Sequence, residues 1–489
     1  MSNRPSSTTT SGTTTTAPGT NGTNGANGTD AVADKARKAL FPLLFVYLLG
    51  VLCLQAFNLV FEHIGTDLGA VSQASLITAI PGVVLGIVCF VYGSLCDFVS
   101  LKKLTAVGLI LLWVGCAFGF LLHGNLMLVI IARCIQTIGF QAAGSVYLVI
   151  VARYLKPESK LLYFGLFTAV FQLSTALGVL CGGLFSAIDW SWLFLIPALS
   201  VLVAPLLLKD LPDSASHGTR IDVIGFALFG AGALFLTLFF SDLTWPLIIA
   251  SAVAFVGFAL YISRAKNPFI TPAFFRNTRW IKAVLLIVIF YSLNFSVTPL
   301  FNAAGSVIYG MSSTQVSLLL LPALILATVT GTLSGRIVDL IGRFRAILLA
   351  GTLMALGLIL SGAYLYLSAG SHTSWPLAAT ISVYYIGMAM TYSPVVDTVL
   401  GTLPPEQSGR GVGMNDLAMQ GSGAIGIAIF GSMISVAAYE AKASATDAAV
   451  SSFPLANAYY GSKLFIYAAV MVFGVLWLVV HRKALYQTK

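Results

Sequence analysis

Between residues 40 and 481 the chain passes through fourteen apolar stretches separated by short polar links. Most are about 20 residues or longer, the length of helix that crosses a ~30 Å hydrocarbon core. In lipid every backbone amide needs an internal partner, and helices provide one within each segment. An all-α integral membrane protein of fourteen transmembrane helices is expected. Charged residues fill only 9% of the 489 positions, against roughly 25% in a soluble domain, so little of the chain is suited to a wet globular surface.

The net charge of +9 does not point to nucleic acid, because the basic residues are dispersed over short links instead of forming a stripe. They alternate by side. Every second connection carries lysine or arginine, among them Lys35, Lys102, Lys103, Arg343, Arg345 and Arg482, whereas the opposite links offer Lys442 and Lys463. By the positive-inside rule both termini are cytoplasmic, in a multi-pass protein of the cell membrane. The six cysteines form no C-x-x-C pair and the five histidines are scattered, so no disulfide framework, metal site or cofactor is expected. Without a G-x-x-x-x-G-K-[ST] phosphate loop the chain does not hydrolyse nucleotide itself, and it is read as a non-enzyme.

The two sizeable polar breaks, "KDLPDSASHGTRID" and "SRAKNPFITPAFFRNTRW", divide the runs into six, two and six. The expected domains are a disordered cytoplasmic tail over 1–38, rich in Thr, Gly, Asn and Ser; a six-helix bundle over 39–208; a linker with two additional central helices over 209–280; and a second six-helix bundle over 281–489. A motif repeats across the two bundles. Gly93, Asp97, Lys102 and Lys103 in "GSLCDFVSLKKL" correspond to Gly335, Asp339 and Arg343 in "GRIVDLIGRFRAIL", each copy linking the second and third helices of its half. Such an internal repeat is the pattern of a transporter built from two related bundles.

"GSLCDFVSLKKL" resembles the loop signature of the major facilitator superfamily, G-x-x-x-D-(R/K)-x-G-(R/x)-(R/K)-(R/K), with Ser100 where glycine is usual. The resemblance implies two six-helix bundles that rock about a shared site, and an ionic latch in which Asp97 meets the start of a helix near Gly411 in the other half. "RCIQTIGFQAAG" is similar to the R-x-x-Q-G motif through Arg133, Gln136 and Gly139. Arg133 would lie roughly 10 Å inside the span. An arginine stays charged and costs at least ~2.5 kcal/mol at such depth, so it must face a polar partner or cavity. "GLFTAVFQLSTALGVLCGGLF" resembles the antiporter motif through Gly165, Gly178, Gly182 and Gly183, with Ser174 and Val179 in place of a glycine and the proline. Small residues on one face let helices approach closely. The fourteen-span form most resembles Gram-positive tetracycline and multidrug efflux proteins, which implies a drug:proton antiporter, although Thr175 and Gly423 stand where such exporters commonly carry acids.

Carboxyls inside spans can take up and release protons as their surroundings change. Asp416, Asp397 and Glu62, in that order, are the proton-coupling candidates, with Arg133. Their structural alternatives are a helix cap for Asp416, a pair with Arg410 for Asp397 and an outer solvated position for Glu62. Asn58, Gln136, Gln172, Asn294, Tyr384, Tyr385, Asn415 and Gln420 are the cavity candidates, with Gln55, Tyr291, Met388, Tyr392 and Met419 beside them, because aromatic and methionine surfaces accept varied apolar ligands. The expected activity is proton-coupled export of amphiphilic or cationic small molecules by a monomer. The alternatives are an uptake or uniport carrier for a metabolite and a receptor without flux.

Overall fold

Winding satisfies the backbone of an apolar run in lipid, and the computed structural model contains seventeen helices and no strand among its described residues. It describes residues 23–489 apart from 97–98, 156, 212–221, 267, 269, 271, 369–372, 404–407, 435, 437–438, 441–452 and 487–489. The first half holds α1 (Thr23–Asp67), α2 (Leu76–Leu95), α3 (Leu101–Leu121), α4 (Leu126–Tyr154), α5 (Pro157–Ser186), a 3₁₀ segment (Trp190–Leu202) and α6 (Ala204–Asp210). Two further helices follow, α7 (Val223–Asp242) and α8 (Trp245–Arg264). The second half holds α9 (Pro272–Arg276), α10 (Thr278–Tyr291), α11 (Val297–Tyr309), α12 (Ser313–Ile341), α13 (Arg343–Leu367), α14 (Trp375–Leu400), α15 (Ser408–Ile434), α16 (Phe453–Val480) and α17 (Arg482–Tyr486).

Ten of the described helices are long and apolar enough to cross a membrane, eleven if the 3₁₀ segment and α6, bent by 45°, count as one. The stretch over residues 281–303, expected as one span, is instead broken: α10 stops at Tyr291 and α11 begins at Val297. Its sequence between, with Ser292, Asn294 and Ser296, supplies side chains that compete for backbone hydrogen bonds. Non-helical backbone at membrane depth is tolerated where protein covers it, and Leu293, Phe295 and Ser296 are fully buried. At the other end of the chain, helix begins inside the polar tail expected to reach residue 38. Ala36, Ala39 and Leu40 are fully buried while Lys35, Arg37 and Lys38 face out, so an amphipathic turn extends α1.

Within the first half α1 packs on α5 and α3 on α4; within the second, α13 packs on α14 and α16. The halves meet along α2–α15 and α5–α12, and α7 leans on both α2 and α15. Directions follow from the glycines. Gly178 abuts Leu52 and Gly182 abuts Ala56, so α5 and α1 run parallel. Gly183 abuts Ser313 and Ser317 while Gln172 lies against Gly331, so α5 and α12 run antiparallel. α8 leaves Ile249, Val253, Val256 and Leu260 exposed, a one-faced apolar stripe at helical spacing. Lipid is the solvent that such a stripe requires.

Candidate functional site

Asp416 lies two turns into α15, and its carboxyl is within electrostatic reach of Tyr47 on α1, Cys89 on α2, Tyr291 at the end of α10 and Tyr392 on α14. Both halves therefore contribute to its surroundings. Tyr47 and Cys89 were not among the expected site residues. A signal for Tyr47 existed: it stands eleven positions before Asn58, three helical turns, and so on the same face of α1. Within the spans stand buried polar side chains whose demands the protein does not meet. Among the described residues the Asn415 and Gln420 amide oxygens, the Tyr384 hydroxyl and both amide atoms of Asn58 are buried without a hydrogen-bond partner. Each costs about 1–3 kcal/mol in that condition, so these groups are acceptors and donors available to a ligand. Tyr385 is satisfied by Thr298 at 2.7 Å and packs edge-on to Tyr384 with centroids 5.2 Å apart. Asn294 is half-buried in the break after α10, and Gln172 is half-buried at the α5–α12 seam.

Arg133 belongs to a second, separate network inside the first half. Its side chain is only 1% exposed. One terminal nitrogen donates to Gln136 Oε1 at 2.8 Å and to Cys53 Sγ at 3.2 Å, and the guanidinium lies 4.4 Å from the centroid of Phe57. Gln136 in turn donates through Nε2 to the Phe194 carbonyl at 3.0 Å, and the Cys53 thiol donates to the Leu193 carbonyl at 3.3 Å. Those carbonyls come from the 3₁₀ segment, whose tighter winding is rarely kept for thirteen residues. The polar partner expected for Arg133 is thus an amide and a thiol, and no carboxylate pairs with it among the described residues. Replacing it with methionine removes a desolvation penalty of several kcal/mol and leaves an unpaired amide oxygen at about 1–3 kcal/mol. Arg133→Met is therefore expected to hold the thermal midpoint of the purified protein at or above wild type; a clear fall would show that the guanidinium binds the half together.

The repeated loop motif is placed at the end that carries the chain termini. Asp97 lies outside the described residues, as do the side chains of Arg410 and Gly411, so the expected meeting of Asp97 with the start of α15 is not described. Lys102 and Lys103 occupy the first turn of α3, which Ser100 caps by accepting from the Lys103 amide at 3.2 Å. In the second copy Gly342 alone joins α12 to α13, with φ +81°, a backbone state that favours glycine. Asp339 is exposed. Arg343 Nε pairs with Asp397 at 2.6 Å, both side chains about half exposed. Asp397 thus stands in this ionic cluster with Arg343 as a partner; the alternative pairing with Arg410 lies outside the described side chains. Tyr486 of α17 bonds Thr398 at 3.1 Å beside the pair and meets Phe344 edge-on. The chain end as part of this cluster was not anticipated.

At the opposite end, hydrogen bonds tie one half to the other. Glu62 accepts from the Val436 amide at 2.9 Å, Asn302 donates to the Leu59 carbonyl at 3.2 Å, and Thr314 donates to the Gly183 carbonyl. Glu62 is half-buried there, hydrogen-bonded between the halves. Gly65 and Gly431 also sit against Ala74 and Ser75, where an added Cβ would meet atoms at 2.4 and 2.8 Å. Nothing lies within 4 Å of such a Cβ at Gly93 or Gly335 on the termini side. In the glycine motif, Gly178 and Gly182 let α1 approach α5, and Gly183 lets α12 approach it; Gly165 lies in α5, with its surroundings outside the description.

The chain matches the sequence pattern of the Major Facilitator Superfamily over residues 43–427. It is similar to Multidrug resistance protein 3 of Bacillus subtilis (strain 168), 24% identical over 385 residues covering 76% of this chain and 74% of that one. It is also similar to the Tetracenomycin C resistance and export protein of Streptomyces glaucescens, 26% identical over 63% of this chain and 59% of that one. Quinolone resistance protein NorB of Staphylococcus aureus (strain MRSA252) is 24% identical over 77% and 82%. Among solved structures, a POT family transporter in complex with a thioalcohol-conjugated peptide superposes with a TM-score of 0.65 at 14% identity, over 92% of this chain and 96% of that one. A D-xylose-proton symporter gives 0.60 at 14%, over 90% and 97%. At those identities the likeness is one of fold.

Proposed function

This chain belongs to the Major Facilitator Superfamily and is a transporter, not an enzyme, and from that premise we propose that it exports amphiphilic or cationic organic molecules in exchange for protons. The observation that carries the reading is the Asp416 carboxyl set among tyrosines from both halves. A negative group beside aromatic faces suits an organic cation, and the same carboxyl can hold a proton when the cation leaves. One acid serving both ligands in turn is the minimum that exchange requires. The resistance and export proteins to which the chain is similar support the substrate class.

The chain works as a monomer in the cell membrane, with both termini in the cytoplasm and fourteen spans: the ten strongly apolar helices, the 3₁₀ segment with α6 as an eleventh, the broken α10–α11 pair, and the less apolar α14 and α15. The bonds that join the halves at the far end, with the open space at Gly93 and Gly335, support a state closed to the outside and accessible from the cytoplasm. Arg343 and Asp397 are paired within the second half in this state, and we assign the clasp that favours the alternative state to Asp97, Lys102 and Lys103 of the first half. A half-exposed pair contributes about 0–1 kcal/mol, enough to bias two states that lie within a few kcal/mol of each other.

Proteoliposomes loaded with a fluorescent organic cation provide the test. Flux that is driven by an imposed pH gradient and collapses with a protonophore is expected. Flux that ignores the gradient would replace exchange with a uniport carrier, and saturable binding with no flux would replace both with a receptor.

A further inference from the structure

A basic groove of about 390 Å³ opens on the termini side of the second half, lined by the α12–α13 turn and the chain end: Arg343, Phe344, Arg345, Arg482 and Tyr486 around Gly342. Its chemistry is unbalanced. Three guanidiniums converge, and the carboxylate that touches them among the described residues is Asp397, which takes Arg343 Nε. Arg482 lies over the Phe344 ring at 4.5 Å, an arrangement that fixes its position but leaves its charge uncompensated. Arg345 is exposed and makes no ion pair or hydrogen bond among the described residues. The groove sits at a level set by its neighbours. Val480 at the end of α16 is 75% exposed, an apolar side chain that ends the exposed apolar surface of that helix two residues before Arg482.

We propose that this groove binds the phosphate of an anionic phospholipid in the leaflet on the termini side. The occupant follows from position and charge: guanidiniums bind phosphate oxygens through paired N–H groups, basic pockets at the membrane boundary hold anionic headgroups, and Val480, with the exposed apolar face of α16 before it, would lie along the acyl chains. A free phosphate offers the same oxygens but gains nothing from that apolar border. Because Arg343 already serves Asp397, lipid phosphate and Asp397 compete for one guanidinium, so an anionic lipid loosens that ion pair. The binding claim stands whether or not the transporter is an exporter.

The full-length protein is reconstituted in phosphatidylcholine nanodiscs and titrated with spin-labelled phosphatidylglycerol, reading the mole fraction that half-saturates the immobilised signal. The double variant Arg345→Gln/Arg482→Gln is expected to raise that fraction about 30-fold, at about fivefold for each basic group near the surface. Asp397→Asn is expected to lower it, by up to about fivefold, since the competing carboxylate is gone. This opposite sign separates a lipid site from a merely structural role. The control Arg264→Gln/Lys266→Gln removes the same charge elsewhere on that side and should leave the value unchanged. Equal half-saturation in wild type and the double variant, an equal loss in the control, no gain with Asp397→Asn, or displacement by millimolar inorganic phosphate would each overturn the proposal; thermal midpoints matching wild type verify that the variants are folded.

Discussion

Asp416→Asn is expected to abolish concentration of an organic cation driven by a pH gradient, a fall of about 100-fold or more, the loss that follows when a positioned proton-transfer group is removed. Asparagine keeps the shape of the side chain and its capacity for hydrogen bonds. It cannot carry a proton or a negative charge. Exchange of labelled for unlabelled substrate across equal pH needs no net proton movement, so the variant is expected to retain a measurable part of it. The contrast isolates coupling from binding, because both activities use the same alternation of the halves. Uphill transport by the variant at the wild-type rate would remove Asp416 from the coupling step and leave Glu62 as the half-buried carboxyl between the halves. Substituting Tyr47 by phenylalanine, which removes a hydroxyl within reach of the carboxyl, is expected to have a smaller effect.

The second large effect concerns packing. Gly426 on α15 lies against the break between α10 and α11, and a Cβ there would meet the Ser292 carbonyl oxygen at 1.7 Å and its carbon at 2.7 Å. Both are backbone atoms, so no change of rotamer relieves the clash. Alanine elsewhere in a helix is favoured over glycine by about 1 kcal/mol. Here the overlap wins, and Gly426→Ala is expected to destabilise the protein by about 3 kcal/mol, seen as a thermal midpoint lowered by several degrees in detergent. Gly421, on the same helix, has nothing within 4 Å of its Cβ position. Gly421→Ala is therefore the paired control, expected to be neutral or slightly stabilising; an equal loss in both variants would place the cause in the helix and not in the contact.

Features encoded within one segment were legible in the sequence; features made by two distant segments were not. The apolar runs and the repeated Gly335–Asp339–Arg343 pattern depend only on local spacing. The partner of Arg343 depends on where α14 ends, and no periodicity links residue 343 to Asp397. That Arg133 and Gln136 share a face of α4 followed from counting turns, but the bond to Cys53 required knowing which face of α1 approaches α4. Hydropathy averaged over a window hides the interruption at residues 292–296, because Leu293 and Phe295 keep the mean high between the serines. The same averaging reads Trp190–Leu202 as ordinary helix. Asp416 stood out as a candidate in the sequence because a carboxylate in an apolar run is conspicuous; Tyr47 and Cys89 are common enough in such runs to pass unnoticed.

The single-residue turn at Gly342 has a mechanical consequence. With no slack between α12 and α13, the start of α13 must follow the end of α12. The 29 residues of α12 span about 43 Å at ~1.5 Å each, so its ends lie near opposite surfaces of the bilayer. A tug on Arg343 at the termini side is carried along that arm to the contact with Gly183 at the far end, and a displacement at either tip is felt at the other.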